Sequence, residues 1–250
     1  MIESLKRIKT LTLRNVKEIL RDPLSLAFTL ALPLVMELLF YYLFHGMTSQ
    51  FEMKYFAPAI VVFAQAFLTL FTGILISTDR NTAFLTRLFV TKTKSYEFIF
   101  SYIFAVLPIA ILQSILFFAV GVVVDSTIFS VSIIGCIFIS LIPAVFFIVL
   151  GILLGSVCSE KSIGGVASIV VMGQSVLSGM WFPTEGLGGV VVKIIRVLPF
   201  KNFGQMVQIS LVGSVHSFAD FTVPLIVSLA YLTLFSIISI WIFAIKMREK

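Results

Sequence analysis

The sequence has little charge, few histidines and few cysteines, and each shortage closes off a class of function. Charged residues make up 12% of the 250 positions, about half the share of a soluble domain. The only histidines are His45 and His216, and the only cysteines are Cys136 and Cys158. No CxxC spacing or histidine pair joins them, so neither a zinc site nor a disulfide framework is indicated. GxxxxGK[ST] is absent, so no loop is expected to cradle the phosphates of ATP. HExxH and GxSxG are absent as well, which removes the zinc-protease and α/β-hydrolase readings. The chain is expected to be no enzyme, with no cofactor of its own. Its first twenty residues are charged and amphipathic and lack an apolar core before a small-residue cleavage site, so no cleavable signal is expected.

What is present is apolar. Hydrophobic residues make up 59% of the chain, 26 of them phenylalanine, and the mean hydropathy is +1.11. Lipid is the solvent such a surface suits. The net charge of +6 invites a nucleic-acid partner. The basic residues flank the hydrophobic runs instead, where they set membrane orientation, so nucleic acid is excluded and membrane lipid is expected as the surroundings.

Six runs are long enough to cross about 30 Å of hydrocarbon: Pro23–His45, Phe56–Ser77, Phe98–Val124, Ile128–Ser156, Ser162–Phe182 and Phe218–Ile245. With the N-terminus inside, only Lys54, Lys193, Arg196 and Lys201 of the 18 basic residues fall in outer segments. Both termini are therefore expected in the cytoplasm. At 100° per residue, Leu5, Ile8, Leu13, Val16, Ile19 and Leu20 share one face ahead of the first span. Lys6, Arg7, Arg14, Lys17 and Arg21 share the other, and Lys9 is the exception. That pattern predicts a basic amphipathic helix lying on an anionic inner leaflet, or a simple topology anchor. Asp22-Pro23 ends it. The expected organisation is a single all-α membrane domain over residues 1–250: an interfacial helix at 1–22, a six-span bundle at 23–245 and a cytoplasmic tail at 246–250.

Two stretches have material to act with. The inner loop Thr78–Glu97 places Phe84, Leu85 and Leu88 at helical spacing, with Arg80 and Arg87 beside them. A short helix with an apolar ridge and basic flanks can dock a soluble partner, or can simply connect two spans. On the outer side, Gly173–Phe203 carries a hydrophobic helix to Trp181-Phe182, where Pro183 stops it. Glycines follow Glu185, and a second apolar run, Val190–Val197, ends at Pro199. That run is too short to span. It is either a helix that dips into the membrane or an outer loop with a short surface helix.

Away from the ends of the spans, Glu37 is the one acidic side chain. A buried ionisable group is a functional candidate, although a place near the interface would let it snorkel or bond a neighbour. Gln65, Gln113 and Gln174 lie in the second, third and fifth spans. They can serve as interhelical glue or as a polar translocation surface.

With these residues in view, the chain resembles the membrane subunit of ABC exporters of the type 2 permease family over nearly its whole length. The most specific local likeness is Ser178-Gly179-Met180-Trp181-Phe182-Pro183-Thr184-Glu185 followed by Leu198-Pro199, a small-residue, aromatic-Pro exit with a second proline downstream. Asp79-Arg80-Asn81-Thr82 through Leu85, Arg87-Leu88 and Thr91 is loosely similar to the family's coupling segment. Two family prolines are replaced, by Lys92-Thr93 after the loop helix and by Gly188 after Leu187. The resemblance implies an export permease in a bacterial cytoplasmic membrane. It would move a drug, an antimicrobial peptide or a lipid-linked molecule, and so serve multidrug or peptide resistance. It further implies a pair of such permeases, identical or sister chains, on two copies of a cytosolic ATPase that holds ATP and magnesium. Arg80, Phe84, Leu85, Arg87 and Leu88 would contact that ATPase. Trp181, Phe182, Pro183, Glu185 and Pro199 would cap the exit, and Glu37, Gln65 and Gln174 would offer polar groups within the spans. An ion-coupled secondary transporter is the alternative. It would need several intramembrane carboxylates and paired broken helices. An integral-membrane lipid-modifying enzyme is a further one, for which Glu37 alone is thin equipment.

Overall fold

The computed structural model describes residues 2–81, 94–181, 188–213 and 218–248. Among these, α-helices and two 3-10 turns account for all the regular structure. The helices are α1 (Ile2–Arg21), α2 (Pro23–Phe44), α3 (Met53–Asn81), α4 (Ser95–Val124) and α5 (Ser132–Val157), then α6 (Glu160–Leu177), α7 (Gly189–Val197), α8 (Pro199–Val212) and α9 (Phe218–Arg248). Five of them, α2, α3, α4, α5 and α9, are long and apolar enough to cross a membrane.

The expected break between α1 and α2 has a local cause. Asp22 caps α2 by accepting the Ser25 amide at 3.1 Å, and Pro23 occupies the first helical position, where its missing N–H costs nothing. The central helix is α3, most of whose spanning stretch is buried by its neighbours. It packs chiefly on α5, with α2, α4, α6 and α8 around it. In contrast, α2 and α9 leave most of their apolar side chains at least partly exposed, with Phe28, Val35, Ile226 and Trp241 among the most open. Such faces suit lipid.

Lipid gives apolar helices no reason to prefer each other, so close approach and hydrogen bonding must hold the bundle. Gly151 and Gly155 on α5 provide the approach. A Cβ at Gly151 would stand 2.7 Å from the Thr69 carbonyl oxygen, and one at Gly155 would stand 2.6 Å from that of Gly73. Only glycine fits either place. Hydrogen bonds add the glue. Gln65 donates to Ser114 at 3.2 Å, Ser114 pairs with Ser140 at 2.9 Å, and Thr69 donates to the Phe147 carbonyl at 3.0 Å. Gln113 donates to the carbonyls of Thr29 and Ala64, at 3.2 and 3.0 Å, tying α2, α3 and α4 together.

Two expectations need correction. The fifth hydrophobic run does not continue to Phe182. Its helix, α6, ends at Leu177, because Gly179 takes a left-handed φ of +76° just past the cap residue Ser178. A left-handed glycine stops a helix as firmly as a proline does. At 18 residues and about 27 Å, α6 is shorter than the five spanning helices. The second correction concerns the region after Val197, read as outer loop. It forms α8, which Pro199 opens and Gly213 (φ +67°) closes, with Phe203, Met206 and Val207 buried. Asn202 donates to the Leu198 and Arg196 carbonyls at 2.9 and 3.3 Å and fixes the α7–α8 turn.

Candidate functional site

Polar groups collect at the two ends of the bundle. At one end, α1 lies along α4 and is fastened by two arginine–carboxylate forks. Arg7 donates through Nε and Nη2 to Glu97, at 3.0 and 2.9 Å. The same carboxylate accepts the Ser4 hydroxyl and, at 3.1 Å, the Lys94 backbone amide. Arg14 forks onto Asp79, which also accepts the Tyr102 hydroxyl at 2.5 Å. Asn15, beside it and buried, donates to Ser101 at 3.3 Å. Both carboxylates are shut away from solvent, with side-chain exposures of 0% for Glu97 and 5% for Asp79. Buried carboxylates persist only when paired and hydrogen-bonded, and a bidentate arginine is the strongest such partner. The hydrogen bond to Glu97 holds the Arg7 guanidinium above its ordinary pKa. Burial works against the charge on Arg14, but Asp79 outweighs it and the pKa is again raised.

These forks bracket the inner loop. Asp79 lies on the last turn of α3 and Glu97 on the first turn of α4. Of the coupling residues suggested by sequence, Arg80 is described. Its guanidinium donates to the Gly155 and Cys158 carbonyls at 2.9 and 3.0 Å, closing the C-terminus of α5. Phe84, Leu85, Arg87 and Leu88 lie outside the described residues. Arg7, Arg14, Asp79 and Glu97 went unnamed as a set, although a signal exists. Two arginines seven residues apart share a helix face, and two carboxylates flank the loop in a chain that has only 12.

Arg7 and Arg14 also change the reading of α1. Sequence placed them on the basic face of a helix expected on an anionic leaflet; the fold turns them onto Glu97 and Asp79. Asn15 and Ile19 are buried on that side, whereas Leu5, Leu13 and Leu20 stay exposed. The helix therefore presents a mixed inner face to protein and a leucine ridge outward.

At the opposite end, the turn Ser49–Phe51, the start of α3, the end of α6 and α8 surround a cavity of about 320 Å³. Gln50, Gln174, Gln205 and Gln208 line it, with Ser178 and Gly204. Gln50 donates to the Gly179 carbonyl and Gln208 to that of Tyr55, the latter at 2.9 Å. Trp181 stands beside it. Its ring nitrogen donates to Ser175 at 2.5 Å, and its ring lies 4.2 Å from Phe40, 5.9 Å from Phe63 and 6.0 Å from Phe56. Pro199 starts α8. Phe182, Pro183 and Glu185 lie outside the described residues.

The intramembrane candidates divide. Gln65 and Gln113 bond across helices, as glue would. Glu37 is fully buried on α2, and neither carboxyl oxygen has a hydrogen-bond partner among the described residues. Gln174 is buried at 1% exposure, and neither its amide nitrogen nor its oxygen has one. It is among the residues that line the cavity. Among the described residues no three His, Cys, Asp or Glu side chains gather as a metal site. The arrangement can transmit force at one end and take up hydrogen-bonding groups at the other.

A search of curated proteins finds no match. A protein-family comparison does, and with it the apolar spanning helices describe a multi-pass membrane transport component of an ABC system, which works with an ABC ATPase. The match covers residues 6–212, from α1 through α8, and on it the chain belongs to the ABC-2 type transporter family.

Proposed function

We propose that the chain is the permease subunit of an ATP-driven exporter of amphiphilic molecules, such as a drug, an antimicrobial peptide or a lipid-linked compound. Two copies, or this chain and a sister permease, pair across a bacterial cytoplasmic membrane. Six crossings, with α6 as the fifth, place both termini in the cytoplasm and the glutamine-lined cavity on the outer side. A separate pair of ATPase subunits holds ATP and magnesium.

The observation that carries this reading is the pair of forks at the α1 end. Asp79 precedes the loop 82–93 and Glu97 follows it, and α1 grips both through Arg14 and Arg7. A displacement of the loop by a cytosolic partner cannot move α3 or α4 without carrying α1. One push thus becomes a concerted shift of three helices. Nucleotide drives it only to the extent that it binds one arrangement more tightly; reversing a 1:99 population takes about 5.5 kcal/mol of differential binding. Phe84 and Leu88 supply the apolar contact with the ATPase, flanked by Arg87.

The test is co-expression with the candidate ATPase, followed by turnover in lipid nanodiscs. The intact permease retains the ATPase and stimulates it. A variant with Phe84→Asp and Leu88→Asp loses both effects while its helix content is unchanged. An ATPase that binds both chains equally sinks the docking role. Glu37 favours a second reading, a proton- or sodium-coupled transporter, because it is a buried carboxyl group without a hydrogen-bond partner among the described residues. That reading requires uptake or efflux that follows an imposed ion gradient with no ATPase present and stops in Glu37→Gln.

A further inference from the structure

The cavity at the far end is more than a packing defect. Its volume of about 320 Å³ matches the lower range of small-ligand sites. Amides dominate its polar lining. Gln50 and Gln208 are held in place by their bonds to the Gly179 and Tyr55 carbonyls. Gln174 is buried with a donor and an acceptor both unmet among the described residues. An unmet buried amide is costly, and a ligand that satisfies it recovers that cost on binding. Gly204 adds a second, independent sign. It is a buried position on α8 that lines the cavity, yet a Cβ built there would meet nothing within 4 Å. Lys201 also lines the cavity and has a partner of its own.

Donor and acceptor on one neutral group suit a ligand that offers the same, as hydroxyls and amides do. A carboxylate or phosphate would satisfy the amide nitrogens and repel the oxygens; an ammonium would do the reverse. The apolar side is supplied next door, where Met180 lines the cavity and Trp181 follows it against Phe40 and Phe63. We infer that this cavity binds the uncharged, hydroxyl-bearing head of an amphiphile, with Gln174 as the central hydrogen-bonding group. The head could belong to a transported single-chain molecule or to a membrane glycolipid. The binding chemistry stands alone, and its use in export rests on the permease reading.

Trp181 is a built-in reporter. The chain has two tryptophans, and Trp241 is exposed on α9, so Trp241→Phe leaves Trp181 as the only one. The full chain, in nanodiscs and without ATPase, is titrated with octyl glucoside below its micellar concentration. Octyl sulfate and octyltrimethylammonium serve as matched charged heads. The expected result is a saturable change in Trp181 emission for the glucoside, at least tenfold tighter than for either charged head. Gly204→Leu fills the space and Gln174→Leu removes the central partner; each weakens the glucoside at least tenfold. Gly204→Ala removes a helix glycine without a clash, folds at least as well, and weakens binding two- to threefold. Three superimposable titrations, tighter binding of a charged head, or unchanged affinity in folded Gly204→Ala and Gln174→Leu would each overturn the assignment. Nanodiscs doped with glucosyl diacylglycerol separate the two sources. Competition marks the head as a lipid's, and its absence marks a single-chain ligand. Because no ATPase is present, failure here leaves the docking test untouched, and the converse also holds.

Discussion

At the α1 end, the buried Glu97 carboxylate receives Ser4, both forked nitrogens of Arg7 and the Lys94 amide, and Asp79 is held as fully by Arg14 and Tyr102. At the opposite end, Gln174 is equally buried and bonds to none of the described residues. The difference follows from what each group tolerates. A carboxylate excluded from water must have its charge met within the protein, which makes its surroundings rigid. A neutral amide can go unmet at a cost of about 1–3 kcal/mol, which leaves its surroundings able to accept something else. One end is built to move as a unit and the other to receive.

The comparison breaks most completely where both ends depend on one scaffold. Gly155→Leu should give the largest effect. Even its Cβ would lie 2.6 Å from the Gly73 carbonyl oxygen, and backbone cannot yield as a side-chain tip can. Overpacking of ordinary cores costs about 1–3 kcal/mol, and this clash is with main chain. The expected outcome is loss of monodisperse protein on size exclusion in detergent, whereas Gly164→Leu, where a Cβ meets nothing within 4 Å, elutes as the unaltered chain does.

Next in size is the Arg14–Asp79 fork. Arg14→Ala removes the forked counter-charge of a buried carboxylate that keeps its Tyr102 hydrogen bond, and should cost about 3–5 kcal/mol, read as a lowered midpoint in thermal unfolding. Replacing both members with apolar side chains, Arg14→Met with Asp79→Leu, should recover most of that loss and still fail to transmit ATPase stimulation. A single variant as stable as the parent would show that the α1 end is not held by charge. Arg7→Ala comes third. Its guanidinium is one-third exposed, and Glu97 keeps Ser4 and the Lys94 amide. A smaller loss than for Arg14→Ala is expected, because solvent screens this partly exposed pair.

The sequence was informative where one residue type in lipid has one meaning. Hydrophobic length located α2, α3, α4, α5 and α9, and Asp22-Pro23 marked the α1–α2 break. Phe-Pro was the misleading signal. Pro183 is the obvious breaker after Trp181, but Gly179 had already ended α6, and a glycine's φ cannot be read from its letter. The helix α8 was hidden by its composition. Lys201, Asn202, Gln205 and Gln208 dilute its apolar stripe, and two of these amides belong to the cavity rather than to a solvated face. Arg7 and Arg14 were legible as basic and amphipathic, yet what they face depends on long-range pairing with Asp79 and Glu97, which no local pattern encodes. Arg80 was placed by sequence at a partner's surface and is held by the carbonyls that end α5.

The smallest expected effect tests the receptive end best, because it concerns sign. Gln113 and Gln174 are the same residue, both fully or almost fully buried. Gln113 donates to two carbonyls on neighbouring helices. Gln113→Leu removes those bonds and should cost about 1 kcal/mol, in the upper part of the range measured for such contacts in membranes. Gln174→Leu removes an amide with neither group met, so nothing is lost and a desolvation cost disappears. Thermal unfolding in the absence of ligand should therefore fall for the first variant and hold or rise for the second. If octyl glucoside is added, the gap between the two variants should narrow or reverse, since only the parent and Gln113→Leu retain the amide through which the ligand stabilises the fold. Equal destabilisation of the two variants without ligand would mean that Gln174 is fully engaged in the folded protein, and the distinction between a rigid end and a receptive one would not hold.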